Sequence, residues 1–258
     1  MGFVSIVPDE SISLIVKNIM VFTHAEKSDQ TLLPFFADGY PGLMYQETDN
    51  GLYVMPHNKK MPLLFLYGQT IQPVELKVDG AYQFLVFQLY PFVLKSLFNL
   101  NAKDLNDDCF DLTRLKDFAL PQLIEALNQT SGQEKKIDLI AAFLSAVFES
   151  RKELFDYKIQ QAIQLIIESN GQLSVKEWRE KLNIPERTFE RRFIAQVGIS
   201  PKHFSKIIQF QVSLNQLQAN DYSKLSDIVY DNGFADQSHF IRVIKAYTGK
   251  TPKHLASR

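Results

Sequence analysis

The chain has 258 residues, 45% of them hydrophobic, and a formal net charge of −1, enough length and apolar content to make two domains with real cores the default. A single cysteine, Cys109, excludes an intramolecular disulfide and fits a reducing cytoplasm. The N-terminus has no basic segment leading into a long apolar run, and no window approaches ~18 consecutive apolar residues, which argues against a signal peptide and a membrane span.

The near-zero total conceals opposite halves, −7 over residues 1–150 and +6 over 151–258. Positive charge in the second half favours a phosphate backbone through counterion release, whereas an acidic first half is a poor DNA surface.

Residues 12–20 carry the spacing of a short amphipathic helix, while Leu32-Leu33 and residues 42–46, 52–55, 63–68, 74–78 and 82–89 read as strands. Asp38-Gly39, Asp49-Asn50-Gly51, His57-Asn58 and Asp79-Gly80 separate them, and Asp-Gly and Asn-Gly are hairpin signals. Short strands at this spacing predict a β-rich barrel or sandwich able to enclose a pocket. Tyr45, Phe65, Tyr67, Phe84 and Phe87 either line that pocket or simply fill the core. From Pro91 the pattern turns helical, with residues 92–100, 120–128 and 137–154 each placing apolar side chains on one face and 129–134 forming a loop. These helices cover the sheet or form a dimer seam. No long flexible linker is evident, and charged residues interrupt the apolar stripe at 151–156.

Beyond that join lies a repeat. Gly198 and Gly249, Pro201 and Pro252, Lys202 and Lys253, and His203 and His254 each stand 51 residues apart, so GISPKHF is answered by GKTPKHL. The same offset pairs Phe189 with Phe240, Arg191 with Arg242 and Phe193 with Ile244; further back it becomes 50, pairing Trp178 with Ile228 and Asn183 with Gly233. Each copy reads as helix, tight turn, helix. In the first, Val175, Trp178 and Leu182 precede the turn, Pro185 opens the next helix, and Phe189, Phe193 and Val197 point inward. In the second, Leu225, Ile228 and Val229 lead to Asn232-Gly233, Asp236 or Ser238 caps the next helix, Phe240 and Ile244 point inward, and Gly249 closes it. This is helix-turn-helix spacing. Residues 159–167 predict a preceding helix, and 200–218 a long connecting helix opened by Ser200-Pro201. Two recognition helices in successive major grooves on one DNA face require a separation of about 34 Å.

At these residues the chain resembles the AraC family of transcription regulators, over about residues 156–256, with GFADQSHFIRVIKAYTGKTP close to the family's second-unit pattern. With the strand and helix pattern of the first half, the expectation is an α+β chain, a β-rich N-terminal domain with covering helices, and the resemblance implies an all-α domain of two helix-turn-helix units joined by a long helix behind it. Arg179 and Asn183 depart from the pattern, standing where a small residue and a glycine are usual, and bear on how the first unit packs. Upstream, GQTIQPVELKVDGAYQFLVFQLYPFVLKSLFNLNAKDLND resembles a domain of uncharacterised role that recurs ahead of AraC-type regions, through Gly68, Gln69, Pro73, Gly80, Pro91, Leu97-Phe98 and Leu105. No ligand comes with it. The expected division is 1–152, a sensing or oligomerisation domain, and 153–258, the DNA-binding domain.

A recognition helix turns its apolar side into its unit and its polar side into the groove. The outward set is Glu186, Arg187, Glu190 and Arg191 in the first unit, with Gln196 at its edge, and Gln237, Ser238, His239, Ile241, Arg242 and Lys245 in the second. Arginine bonds guanine bidentately and glutamine bonds adenine, so Arg187, Arg191, Gln237 and Arg242 are the expected base readers. Lys202, Lys206 and Lys250 are expected at phosphates, which position without specifying sequence. Salt bridges or burial are the alternatives for any of these arginines.

The histidines His24, His57, His203, His239 and His254 lack metal-ligand spacing, Cys109 follows two aspartates that would raise its pKa, and no nucleotide-binding or hydrolase motif occurs. No cofactor or metal is expected, and no enzyme. The expected partners are double-stranded DNA, a small-molecule effector or a second copy, and RNA polymerase if the output is activation, with no membrane. The alternative is an enzymatic or protein-interaction module with a DNA-targeting tail.

Overall fold

In the computed structural model, which describes residues 2–26, 30–55, 58–116 and 119–256, ten short strands build the first part of the chain. They are β1 (Gly2–Ile6), β2 (Val16–His24), β3 (Gln30–Phe35), β4 (Gly42–Thr48), β5 (Leu52–Met55), β6 (Lys59–Lys60), β7 (Leu64–Tyr67), β8 (Val74–Asp79), β9 (Tyr82–Leu89) and β10 (Cys109–Asp111). All pairings are antiparallel, in a six-stranded sheet ordered β1-β2-β9-β4-β7-β10 and a four-stranded sheet ordered β3-β8-β5-β6. His57 and the side chains of Val175 and Arg179 lie outside the described residues.

Alternation along β9 explains the layering. Tyr82, Phe84 and Val86 join Met44, Phe65, Leu76 and Val78 between the sheets, while Leu85, Phe87 and Leu89 join Leu43, Tyr45, Leu64 and Leu66 on the opposite face. That opposite face is covered by helices α1 (Val93–Phe98), α2 (Leu120–Gln129) and α3 (Gln133–Arg151), whose Leu97, Leu123, Leu127, Ile140 and Leu144 are buried against it. Of the two expectations for these helices, the covering one is observed.

Residues 12–20 do not form the amphipathic helix that their spacing predicts. Residues 12–15 close a single turn, with Ile15 N–H donating to Ile12 O at 2.9 Å, and β2 begins at Val16. A register irregularity between Val16 and Asn18 shifts the alternation by one, so Ile12, Ile15, Val16 and Ile19 imitate a helical stripe while the last two serve a strand.

The rest of the chain is helical: α4 (Tyr157–Glu168), α5 (Val175–Leu182), α6 (Glu186–Val197), α7 (Pro201–Gln218), α8 (Leu225–Asp231), α9 (Gln237–Thr248) and α10 (Pro252–Ala256). A 3-10 turn at Lys152–Leu154 links α3 to α4. The apolar cluster does not stop there. It runs from the outer face of the six-stranded sheet through Phe92 and Phe155 into Phe189, Phe193, Phe204 and Phe240, so both parts of the chain share one continuous core.

Candidate nucleic-acid interface

Two helix pairs in the C-terminal region have the same local construction. Asn183, between α5 and α6, has φ +50°, and Gly233, between α8 and α9, has φ +68°. Both turns need left-handed backbone, which glycine adopts freely and asparagine tolerates. Helix starts are capped in parallel: Glu177 accepts from the N–H of Ser174 at 2.7 Å, and Asp227 from that of Lys224 at 2.7 Å. Asp236, rather than Ser238, caps α9 by accepting from the N–H of His239 at 2.7 Å. Ser200 caps α7, with Pro201 in its first turn.

Helices α6 and α9 bury Phe189, Phe193 and Val197, and Phe240 and Ile244, respectively. On the other side Glu186, Arg187, Glu190 and Arg191 of α6 are exposed, as are Gln237, Ser238, Arg242 and Lys245 of α9. His239 is half-buried, its ring packed edge-on against Phe234 with centroids 5.6 Å apart and Nδ1 buried without a hydrogen bond among the described residues. Lys202 and Lys206 are exposed on the first turns of α7. Lys250 is only partly exposed and sits in a crevice with Phe35, Gln211 and Leu214.

Arg192, absent from the expected set, forks onto Asp156, with Nε donating to Oδ2 at 2.8 Å and Nη2 to Oδ1. Asp156 also caps α4 through the Ile159 N–H at 3.3 Å, so one carboxylate ties α6 to the start of α4. The charge of Arg192 is the one cue the sequence offers, since a partly buried guanidinium needs a carboxylate, without saying which one.

The contacts that moor α6 to the β-rich part left no such cue. Gln196, expected at the edge of the groove-facing set, instead accepts from Ser96 Oγ at 3.2 Å, while Gln69 Nε2 donates to Val197 O at 3.1 Å and Asn106 Nδ2 to Gly198 O at 3.2 Å. Gly198, at φ +86°, permits this approach, because a Cβ there would lie 2.7 Å from the carbonyl carbon of Ala102. Gly249, its repeat partner, has φ +70° and nothing within 4 Å of a Cβ. A second mooring lies on α7, where Gln211 Nε2 donates to Ala37 O and Gly39 packs against Phe204, Ile207 and Ile208.

Between the sheets is a cavity of about 420 Å³, walled by Phe35, Met44, Val54, Phe65 and Leu76. Of the aromatic candidates, Phe65 and Tyr67 line it; Phe84 lies in the inter-sheet core without lining it, and Tyr45 and Phe87 face the helices. At its mouth Lys59 pairs with Asp108, and the Cys109 thiol is pushed up, chiefly by burial. No group of three His, Cys, Asp or Glu is gathered to hold a metal among the described residues. Nor, among them, is any helix long and apolar enough to cross a membrane.

Two family models match. Residues 178–258 match a helix-turn-helix domain, and residues 4–111 a domain of unknown function (DUF6597). An uncharacterised HTH-type transcriptional regulator of Staphylococcus aureus is 25% identical over 132 residues, 49% of this chain and 18% of that protein. The HTH-type transcriptional activator RhaS of Yersinia pestis is 28% identical over 92 residues, 34% of this chain and 33% of RhaS. The chain thus spans a third or less of these relatives' lengths. The structure of ToxT from Vibrio cholerae aligns over 99% of this chain and 98% of its own with a TM-score of 0.48 and 16% identity. The chain thus carries a region matched as a helix-turn-helix domain, residues 178–258, behind a region matched as a domain of unknown function, residues 4–111.

Proposed function

We propose that the protein is a sequence-specific DNA-binding transcription regulator, with residues 1–152 as a sensing or self-association domain and 153–258 as the DNA-binding domain. The observation that carries this reading is the equivalence of Arg191 and Arg242, 51 residues apart, exposed at matching positions of two helices that each end on a left-handed glycine. The 18-residue α7 between the units spans about 27 Å, of the order of the one-turn separation that successive major grooves demand. The +6 charge of residues 151–258 supports the same reading.

In this reading Arg187, Arg191, Gln237 and Arg242 contact base edges, and Glu186, Glu190, Ser238, His239 and Lys245 line the groove. Lys202, Lys206 and Lys250 serve phosphates, Lys250 once its crevice opens. The N-terminal domain shifts the population able to seat both helices, by binding a small molecule or a second copy. No catalytic step is assigned. RNA polymerase is the further partner of an activator, and the cytoplasm the expected location.

The test is selection of bound sequences from a random DNA pool by the full chain, repeated with Arg187→Ala and Arg242→Ala. Two sequence elements about one helical turn apart, each weakened by one substitution, are expected. No enrichment by the full chain, alone or with candidate effectors, would sink the proposal.

A further inference from the structure

The inter-sheet cavity and the mooring of α6 are built from one piece of chain. Gly68, Thr70, Asn106 and Asp107 line the cavity; Gln69 and Asn106 hold the last carbonyls of α6. The two segments are joined by backbone bonds, Gly68 N–H to Asp108 O at 3.1 Å and Asp107 N–H to Gln69 O at 3.0 Å.

Both amides have a fixed orientation. Because Val197 O and Gly198 O accept, the nitrogens of Gln69 and Asn106 must face α6, and each side-chain oxygen is left over. Gln69 Oε1 and Asn106 Oδ1 are both buried, and neither accepts a hydrogen bond among the described residues. Gln69 itself is only 1% exposed. Gln69 does not itself line the cavity but Asn106 does, and a buried acceptor without a donor is costly, so a small turn of Asn106 toward a donor in the cavity is favoured.

Charge at the mouth narrows the class. Asp104, Asp107 and Asp108 line the cavity beside Lys59, and Lys59 is already paired with Asp108. An anionic head group would meet net negative charge with that cation committed elsewhere; an ammonium would meet attraction. Below the mouth the walls are apolar, and the volume lies in the range of small-molecule pockets.

We infer that the cavity takes an apolar molecule with a cationic, hydrogen-bond-donating head, and that Asn106 passes its occupancy to the end of α6. This rests on the reading of the N-terminal domain as a small-molecule sensor. A donor that engages Asn106 Oδ1 from the cavity pulls on the same amide that holds Gly198. The second mooring answers to the same space: Phe35 lines both the cavity and the crevice against α7, two residues before the Ala37 carbonyl that Gln211 holds.

The experiment titrates the full chain with decylammonium, decanoate and decanol, by calorimetry and by the fluorescence of Trp178, the sole tryptophan, buried in α5 of the first unit. Decylammonium is expected to bind at least tenfold more tightly than decanoate, to change Trp178 emission and to change DNA affinity. Val54→Phe, which fills the cavity, should weaken binding at least tenfold. Asp104→Lys, an exposed change at the mouth, should shift the ammonium-to-carboxylate ratio at least fivefold toward decanoate. Asn106→Leu should abolish the effect of decylammonium on DNA affinity. Decanoate binding as tightly as decylammonium, or no binding by any of the three, overturns the ligand class. Tight ammonium binding with unchanged Trp178 emission and DNA affinity overturns the relay. Failure of the regulator reading is separately visible, because the full chain would then select no DNA sequence with or without decylammonium, whatever the calorimetry gives.

Discussion

Gly198→Ala and Gly249→Ala form a matched pair that tests the mooring of the first unit. Both glycines close a helix in left-handed conformation, Gly198 donating to Ile194 O at 2.8 Å and Gly249 to Lys245 O at 2.9 Å. Either substitution therefore carries the left-handed penalty of an L-residue, about 1–2 kcal/mol. At Gly249 nothing else is touched. At Gly198 the new methyl would sit 2.7 Å from Ala102 C and 2.8 Å from Ala102 O and Lys103 N, a contact with backbone that no rotamer change relieves. Overpacking of that kind adds roughly 1–3 kcal/mol. Gly198→Ala should thus cost about 2–5 kcal/mol. At roughly 2–4 °C per kcal/mol for a chain of this size, it should lower the Tm by several degrees more than Gly249→Ala. Urea and thermal unfolding of the two full-length variants measure the difference. Equal losses would refute the close approach of residues 102–103 to the end of α6.

Three further outcomes are expected. Asp156→Ala removes both the cap of α4 and the partner of Arg192, and should cost about 2 kcal/mol in urea unfolding, more than Arg192→Ala, which leaves the cap in place; the reverse order would contradict the shared-carboxylate account. His203 is half-buried, stacks on Tyr247, and has its pKa lowered by burial first and Lys206 second, with Asp107 opposing. The unfolded chain then binds the proton more readily, so stability falls as pH drops through the ordinary imidazole value near 6.5; a pH series of unfolding midpoints should flatten in His203→Gln. Arg242→Ala should weaken specific DNA by about 1–3 kcal/mol and random duplex by less, and an equal loss in competition binding would reassign it to phosphate contact.

The repeat was legible because its residues serve backbone and core needs that sequence displays openly. The pairing of Asn183 with Gly233, made by counting alone, joins two residues that both take positive φ. Central strands β4 and β9 were equally plain, having apolar residues on both faces and Gly turns between neighbours. β1, almost wholly exposed, and β10, only three residues long, carry no alternation to read. The moorings were invisible for another reason. Ser96 and Gln196, Gln69 and Val197, and Asn106 and Gly198 lie 92 to 128 residues apart and involve ordinary polar side chains on backbone or amide acceptors. No periodicity announces such pairs.

The continuous core sets a limit on recombination. A chimera that exchanged the C-terminal helical half at the 3-10 turn would cut through packed aromatics, separating Phe92 from Phe155 and stripping cover from Phe204 where Gly39 meets it. Grafts onto a foreign sensor must therefore carry the matching surface of residues 37–39 and 96–106 along with them. Point exchanges on the outer faces of α6 and α9 face no such constraint, so under the proposed reading DNA preference should be far easier to transplant than sensing.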